Sequence, residues 1–370
     1  MDEIIPFPGK AGLQQRVLPN YRVKFFDRLA TFCMEGLSIF AGEPRGSEAI
    51  QSASNLEVAR HAMARNINIL RGSAYLCFQR GLMDWLESWD PDVLILEANP
   101  RYLSNREAIR WMHTRNRPVI GWGLGASHSK GLFAGVRNGL RRRYLSSFDR
   151  LIAYSTQGAE GYAEAGVPSE RIHVAINSAT LPPASMPKRE PFNGRILRIL
   201  FVGRLQARKR VDLLLKACHL VGKNPECWIV GEGPESLTLK KLAQDVYPKA
   251  EFLGSRHGPD LERLFDQADL FVLPGTGGLA VQEAMAHGLP VIVAEGDGTQ
   301  RDLVRDENGW LVEPGNIEDL LNALQDALED PEGLLEMGEA SYQIVHDRAN
   351  VDAMAKIFTE VMNVLHGGSV

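Results

Sequence analysis

Apolar residues in this chain fall into two alternating kinds of block. Short, nearly continuous apolar runs occur at Leu37–Gly42, Pro91–Glu97, Pro118–Trp122, Asp149–Ser155 and Ile172–Asn177, and Leu13–Leu18 reads as a further strand-like segment. Such runs fit strands buried on both faces of a parallel sheet. Between them lie segments with apolar positions at helical spacing, such as Phe25–Cys33 and Gly158–Ala165. After residue 178 the alternation stops for a stretch with Pro182, Pro183, Pro187 and Pro191 and no apolar period, which has the composition of a linker. It then resumes, with strands at Leu197–Val202, Cys227–Val230, Glu251–Gly254, Leu270–Leu273, Pro290–Ala294 and Asn308–Pro314. Helical patterns lie at Val211–Leu220, Leu237–Val246, Asp260–Gln267, from Leu279, and at Ile317–Leu328, Gly333–Val345 and Asp352–Leu365. Strands separated by helices predict parallel sheets with crossover connections, an α/β fold. The boundaries read as a first domain over 1–178, a linker over 179–196, a second domain over 197–350 and a final segment over 351–370.

The stretch from Leu270 to Ala294 carries the strongest chemical signal. A buried run is followed by Pro274-Gly-Thr-Gly-Gly278 and then by a helical pattern. Glycines let a backbone turn sharply and approach a ligand, and a helix start offers unpaired N–H groups at the positive end of the dipole, which is an anion site. Glu283 lies about one turn into that helix, where a carboxylate can accept from the hydroxyls of a ribose. The plainer alternative is a βαβ unit whose glycines pack helix on sheet. Arg204 and Lys209 follow the first strand of the same domain, on the same rim, and two cations with a helix tip could hold a diphosphate. Singly, they are equally readable as surface cations.

In the first domain Glu97, Asn99, Gly123, Gly125 and His128 fall just after buried strands, where ligands of parallel sheets bind. His128 reads either as a substrate contact or as a structural histidine. The segment from Lys130 to Phe148 places Leu132, Val136, Leu140 and Tyr144 four apart among Arg137, Arg141, Arg142 and Arg143. It reads as a solvated surface helix, or as an amphipathic basic helix able to lie on an anionic bilayer.

Charge and composition narrow the classes. The 370 residues carry a formal net charge of −5, which argues against a nucleic-acid partner. Cys33, Cys77, Cys218 and Cys227 lack ligand or disulfide spacing and read as core residues of a reducing compartment. The acidic N-terminus is unlike a signal peptide and no apolar run reaches membrane-spanning length, so a soluble cytoplasmic protein is expected, with peripheral membrane contact left open.

Six separated motifs together resemble a known family. Phe201-Val-Gly-Arg-Leu205 with Lys209, Gly231-Glu-Gly-Pro234, Phe252-Leu-Gly254, Ala268–Pro274, Glu283–Ile292 and Asn308-Gly-Trp-Leu-Val312 stand in the order and spacing of the retaining glycosyltransferases of family 4, with the GT-B fold. The resemblance covers roughly 195–330; Tyr21-Arg22 with Phe25-Phe26, and Phe148–Ser155 through Asn177, are similar to the family's acceptor-side domain. It implies two Rossmann-like, doubly wound domains facing across a cleft, the first binding acceptor and the second nucleotide sugar, with the last helix crossing back onto the first. By resemblance, Arg204 and Lys209 bind the nucleotide diphosphate and count with His128 as catalytic, and Glu283 binds the ribose. Gly203, Gly231, Leu253, Thr276, Gly277, Gly278 and Leu279 complete the donor site, while Tyr21, Arg22, Glu97 and Asn99 face the acceptor. No metal and no cofactor is implied beyond a UDP- or GDP-linked sugar as co-substrate; the partner is a sugar or lipid-linked acceptor, as in polysaccharide or glycoconjugate synthesis.

Two departures stand out. The family's glutamate that contacts the donor sugar, eight residues before the Glu283 position, is Gly275 here, in a shortened loop; and the family's first-domain histidine position is Leu124, with His128 the nearest candidate. A non-catalytic sugar-nucleotide binder, an epimerase or a phosphorylase of the same fold therefore remain alternatives.

Overall fold

The computed structural model describes residues 4–46, 48, 50–53, 55–70, 75–126, 134–192 and 194–367. Its contacts divide the chain into two units, Met1–Ala179 with Val351–Val370, and Thr180–Asn350.

The first unit runs β1 (Ala11–Val17), α1 (Val23–Thr31), β2 (Leu37–Gly42), β3 (Arg60–Ile69), β4 (Leu76–Arg80), α2 (Leu82–Trp89), β5 (Val93–Glu97), α3 (Asn105–His113), β6 (Val119–Gly123), α4 (Ala134–Leu145), β7 (Arg150–Ala153), α5 (Thr156–Glu164) and β8 (Ile172–Val174). The strands lie in the order β4-β3-β2-β1-β5-β6-β7-β8. Every pairing is parallel except β3 with β4. Winding therefore reverses between β1 and β5. β3 and β4 left no continuous apolar run in the sequence because the ribbon they form is mostly exposed, Met63 at 62% and Ile67 at 41%. The four-residue apolar spacing read through the basic segment is not one core stripe: in α4, Val136 and Leu140 are exposed while Tyr144 is buried.

The second unit runs β9 (Arg198–Val202), α6 (Val211–Leu220), β10 (Glu226–Val230), α7 (Ser236–Val246), β11 (Ala250–Gly254), α8 (Pro259–Gln267), β12 (Leu270–Leu273), α9 (Leu279–Ala286), β13 (Val291–Ala294), α10 (Thr299–Leu303), β14 (Gly309–Val312), α11 (Ile317–Glu329) and α12 (Pro331–Asp347). All six strands are parallel in the order β11-β10-β9-β12-β13-β14, and β12 and β13 are wholly buried. Here winding reverses between β9 and β12. The proline-rich stretch preceding β9 is fastened to this unit. The guanidinium of Arg189 donates to the carbonyls of Phe265, Ala268 and His287, each at 2.7 Å, so the otherwise unpaired ends of α8 and α9 are satisfied.

The last helix, α13 (Val351–Gly367), belongs to the first unit and packs on α1. Phe358 sits with its ring 5.1 Å from both Phe25 and Trp122, and Arg28 donates two 2.7 Å bonds to Asp352. All four cysteines are free and buried. No described helix is long and apolar enough to cross a membrane.

Candidate active site

In an open parallel sheet, the crevice for a ligand lies outside the carboxyl ends of the strands where winding reverses. In the second unit those strands are β9 and β12, and their following loops are Gly203–Arg210 and Pro274–Gly278. The loop after β10 rests on the first of these. Gly203 N donates to Val230 O at 3.0 Å and Leu205 N to Glu232 O at 3.0 Å. A side chain at Gly231, which has φ +131°, or at Gly233 would run into the carbonyls of Gly203 and Leu205. These two glycines thus permit backbone to lie on backbone.

The two loops of the reversal point touch directly. Thr276 N donates to Arg208 O at 3.0 Å, and Arg208 Nη1 donates to Thr276 Oγ1 at 3.0 Å. A Cβ on Gly275 would lie 2.6 Å from Lys209 Cα, so the turn has no room for a side chain there. Gly277, at φ +149°, has the Lys209 ammonium against it, and a Cβ would collide with Nζ. A third segment, after β13, closes the turn from the other side. Gln300 Nε2 donates to Gly277 O at 2.8 Å, and Thr299, which bonds Asp297 at 2.6 Å, lies against Gly278. Among the described residues no side chain caps α9, and its first N–H groups lie at this turn.

Lys209 responds electrostatically to this packing. Burial, and next the charge of Arg208, bring its pKa down to about 8, while Asp297 pulls the other way. Arg204 is exposed on the same loop, and Glu283 is half-buried in α9. Leu253 is the extra residue of a bulge: Ile229 pairs with Phe252 but Val230 with Gly254. Lys209, Thr276, Gly277 and Gly278 are therefore brought together, with Leu279 next in α9. Arg208, Asp297, Thr299 and Gln300 join them without having been singled out by sequence. The signal for the last three was available, since Gly296-Asp-Gly298 follows a buried strand as the other two loops do.

The first unit has its own reversal point between β1 and β5. Tyr21 and Arg22 stand in a short turn after β1, and Glu97 ends β5. Arg22 is 5% exposed, with its guanidinium 4.3 Å from the Trp122 ring, 5.1 Å from Tyr154 and 5.5 Å from Tyr21. Glu97 accepts from Arg16 N at 2.7 Å; burial raises its pKa, opposed by that bond and by Arg22 and Arg16. The Arg16 side chain turns instead to Glu48 at 2.8 Å, a carboxyl that Arg45 and Arg16 hold down to about 2 against the opposing effect of burial. Asn99 is engaged locally, accepting from Arg101 N at 3.1 Å on its side chain and from Tyr144 OH at 3.3 Å on its carbonyl. Gly125, at φ +103°, is pressed on Gly158, so that glycine serves packing. His128 lies outside the described residues. Among the described residues no three His, Cys, Asp or Glu side chains converge as metal ligands.

Residues 185–344 match the family model of glycosyl transferases group 1. The sulfoquinovosyl transferase SQD2 of Arabidopsis thaliana is 34% identical over 151 residues, which is 39% of this chain and 29% of that protein. The phosphatidyl-myo-inositol mannosyltransferase of Mycolicibacterium smegmatis is 30% identical over 261 residues, 68% of this chain and 66% of that one. The chain thus spans less than two thirds of the length of these curated relatives. In fold, the crystal structure of Anabaena HepE in complex with UDP superposes with a TM-score of 0.71 at 17% identity, over 96% of this chain and 99% of that one. The architecture is GT-B.

Proposed function

From the premise that this chain carries a group 1 glycosyltransferase domain over residues 185–344, we propose that it transfers a sugar from a nucleoside diphosphate to an acceptor hydroxyl with retained anomeric configuration, as in family 4. The observation that carries the reading is the meeting of Lys209 with the glycine turn that opens α9. In this scheme the diphosphate lies on the first N–H groups of α9 and on Lys209, with Arg204 closing over it and Glu283 accepting from the ribose hydroxyls. The bond from the sugar's anomeric carbon to the β-phosphate oxygen breaks, the diphosphate leaving with the electron pair. The acceptor oxygen bonds to that carbon, and its proton passes to the departing phosphate, so no metal and no dedicated base is required. Fixed cations and amides aimed at the leaving oxygens are worth roughly two to three orders of magnitude in rate for each donor. Gly203, Gly231 and Leu253 shape the floor of the donor site by backbone.

The acceptor is assigned to the first unit, near Tyr21, Arg22 and Glu97, with His128 as a further contact. Exposed Val136 and Leu140 beside the arginines of α4 support a peripheral contact with an anionic bilayer, which would suit a lipid-linked acceptor. SQD2 and the mycobacterial relative are named for transfer of a sulfoquinovosyl and a mannosyl group, and HepE was solved with UDP, which supports a nucleotide-sugar donor; the donor proposed for this chain is UDP- or GDP-linked. The test is release of nucleoside diphosphate from a panel of nucleotide sugars. Arg204→Ala and Lys209→Ala should each suppress it about a hundred-fold or more; unchanged turnover in both refutes the assignment. Gly275, in place of the family's glutamate, favours one second reading, a non-catalytic binder, which predicts tight nucleotide binding without turnover on any donor and acceptor tested.

A further inference from the structure

The donor site carries one more cation than a diphosphate calls for. Arg204 and Lys209 already supply two positive groups beside the N–H groups of α9. Arg208 is exposed on the same loop, and its bonds go to neutral acceptors: Nε to Gln206 Oε1 at 3.0 Å and Nη1 to Thr276 Oγ1 at 3.0 Å. A guanidinium has five N–H donors, so these two bonds fix its plane and leave others to be used. Arg208 makes no ion pair with any described carboxylate. Its position is set twice over, since its own carbonyl accepts from Thr276 N at 3.0 Å. Thr276 immediately precedes Gly277, against which the Lys209 ammonium lies, so Arg208 stands one residue along the turn from the group that holds the phosphate. The two cations also feel each other, for the charge of Arg208 is one of the reasons that Lys209 is a weak base.

A pinned guanidinium with no carboxylate partner among the described residues, held next to another cation, is a site for an anion. The diphosphate falls to Lys209 and the helix tip; what extends past it along the turn is the donor's sugar. Gly275 adds the second half of the argument. Backbone packing at Gly275 leaves no room for any side chain, and the residues pressed against it are the two cations Arg208 and Lys209.

We infer that this site selects nucleotide sugars whose sugar carries an acid group, a carboxylate or a sulfonate, and that Arg208, oriented by Thr276, is the residue that recognises it. This rests on the nucleotide-sugar reading above and deepens it. A planar, bidentate cation suits both oxyanions, and a neutral hexose leaves it unmatched.

The experiment uses matched pairs, UDP-glucuronate with UDP-glucose and GDP-mannuronate with GDP-mannose, titrated calorimetrically into the full chain alongside UDP and GDP. In the pair whose base the site accepts, the acidic member should bind at least ten-fold tighter than the neutral one. Arg208→Gln should bring the two within about three-fold, and Arg208→Lys should restore part of the preference. Equal binding of both members by the wild type overturns the inference and leaves the nucleotide reading standing. An Arg208→Gln variant that weakens both members alike also overturns it, because the guanidinium then serves the diphosphate. Absence of UDP and GDP binding overturns the nucleotide reading, and the inference with it.

Discussion

Lys209 makes the proposed donor site sensitive to pH in the range where it would be assayed. Burial and Arg208 carry its pKa from an ordinary 10.5 to about 8, so holding it charged among its protein neighbours costs about 3 kcal/mol. A diphosphate bound against the ammonium replaces the lost hydration, favours the charged form and returns the pKa toward its ordinary value. The sign follows from linkage: the complex holds the proton more tightly than the free protein, so affinity is fullest below the free pKa and falls as pH rises through it. The free protein is about 90% protonated at Lys209 at pH 7 and about 10% at pH 9, so affinity for a nucleoside diphosphate should drop about ten-fold over that interval. The phosphates add little to this, since their second ionisation lies near 6 and is already about 90% complete at pH 7. Calorimetry at pH 7, 8 and 9, in buffers of differing ionisation enthalpy, measures both quantities. Binding at pH 8 should take up about half a proton. Lys209→Met should weaken binding at pH 7 about ten- to hundred-fold, the worth of a charge-assisted bond, and abolish the slope. Wild-type affinity that is flat from pH 7 to 9 without proton uptake, or a slope that survives in Lys209→Met, refutes the reasoning.

Three further outcomes are open to direct measurement. Gly275→Ala drives a Cβ into the backbone of Arg208 and Lys209 and should cost about 1–3 kcal/mol in urea unfolding while weakening nucleotide affinity at least ten-fold; an unchanged variant would mean that the two loops do not depend on contact. Phe358→Ala removes the ring shared by Phe25 and Trp122 and should destabilise the first unit by about 3–5 kcal/mol, read from the unfolding midpoint, and a loss under about 1 kcal/mol would show that α13 is not integral to that core. Sedimentation with vesicles rich in anionic lipid should recover the chain at low salt, weaken with added salt, and fail when Val136 and Leu140 are both changed to Ser; sedimentation that ignores both changes removes α4 from the contact.

The pattern of apolar runs was sufficient for the fold wherever a strand is buried on both faces. β2 and β12 lie where that pattern places them, because a strand covered on both faces is built mostly of apolar residues, and α6 lies where the helical period places it. The ribbon of β3 and β4 escaped notice for the same reason reversed. It carries Asn66, Asn68, Arg65 and Gln79 among its residues, has one side in solvent, and so leaves no continuous run. α10 is only five residues long, too short to show a helical period. Within the candidate site, the nearness of Lys209 to Gly277 was legible, since both follow buried strands and a parallel sheet brings the carboxyl ends of its strands to one edge. Which strands are neighbours was not, because β9 and β12 are separated by two strands in sequence and adjoin only through the reversal of winding.

That reversal also explains what a linear reading passed over. Adjacency of β9 and β12 puts Arg208 and Thr276 within a 3.0 Å bond although they are 68 positions apart in the chain. Adjacency of β12 and β13 brings Gln300 to the carbonyl of Gly277. The turn is therefore shaped by three loops, each with a different duty. The loop after β9 brings charge, the loop after β12 brings bare backbone, and the segment after β13 fixes that backbone through Thr299 and Gln300 of α10, with Asp297 as its charged member. A substitution in the last, such as Gln300→Leu, deletes the bond to Gly277 while leaving every cation in place. It should loosen the grip on the diphosphate about five-fold, the worth of one neutral hydrogen bond, without moving the pH midpoint set by Lys209. The same loss accompanied by a shifted midpoint would mean that Gln300 acts through the position of the lysine, and the division of duties among the loops would fall.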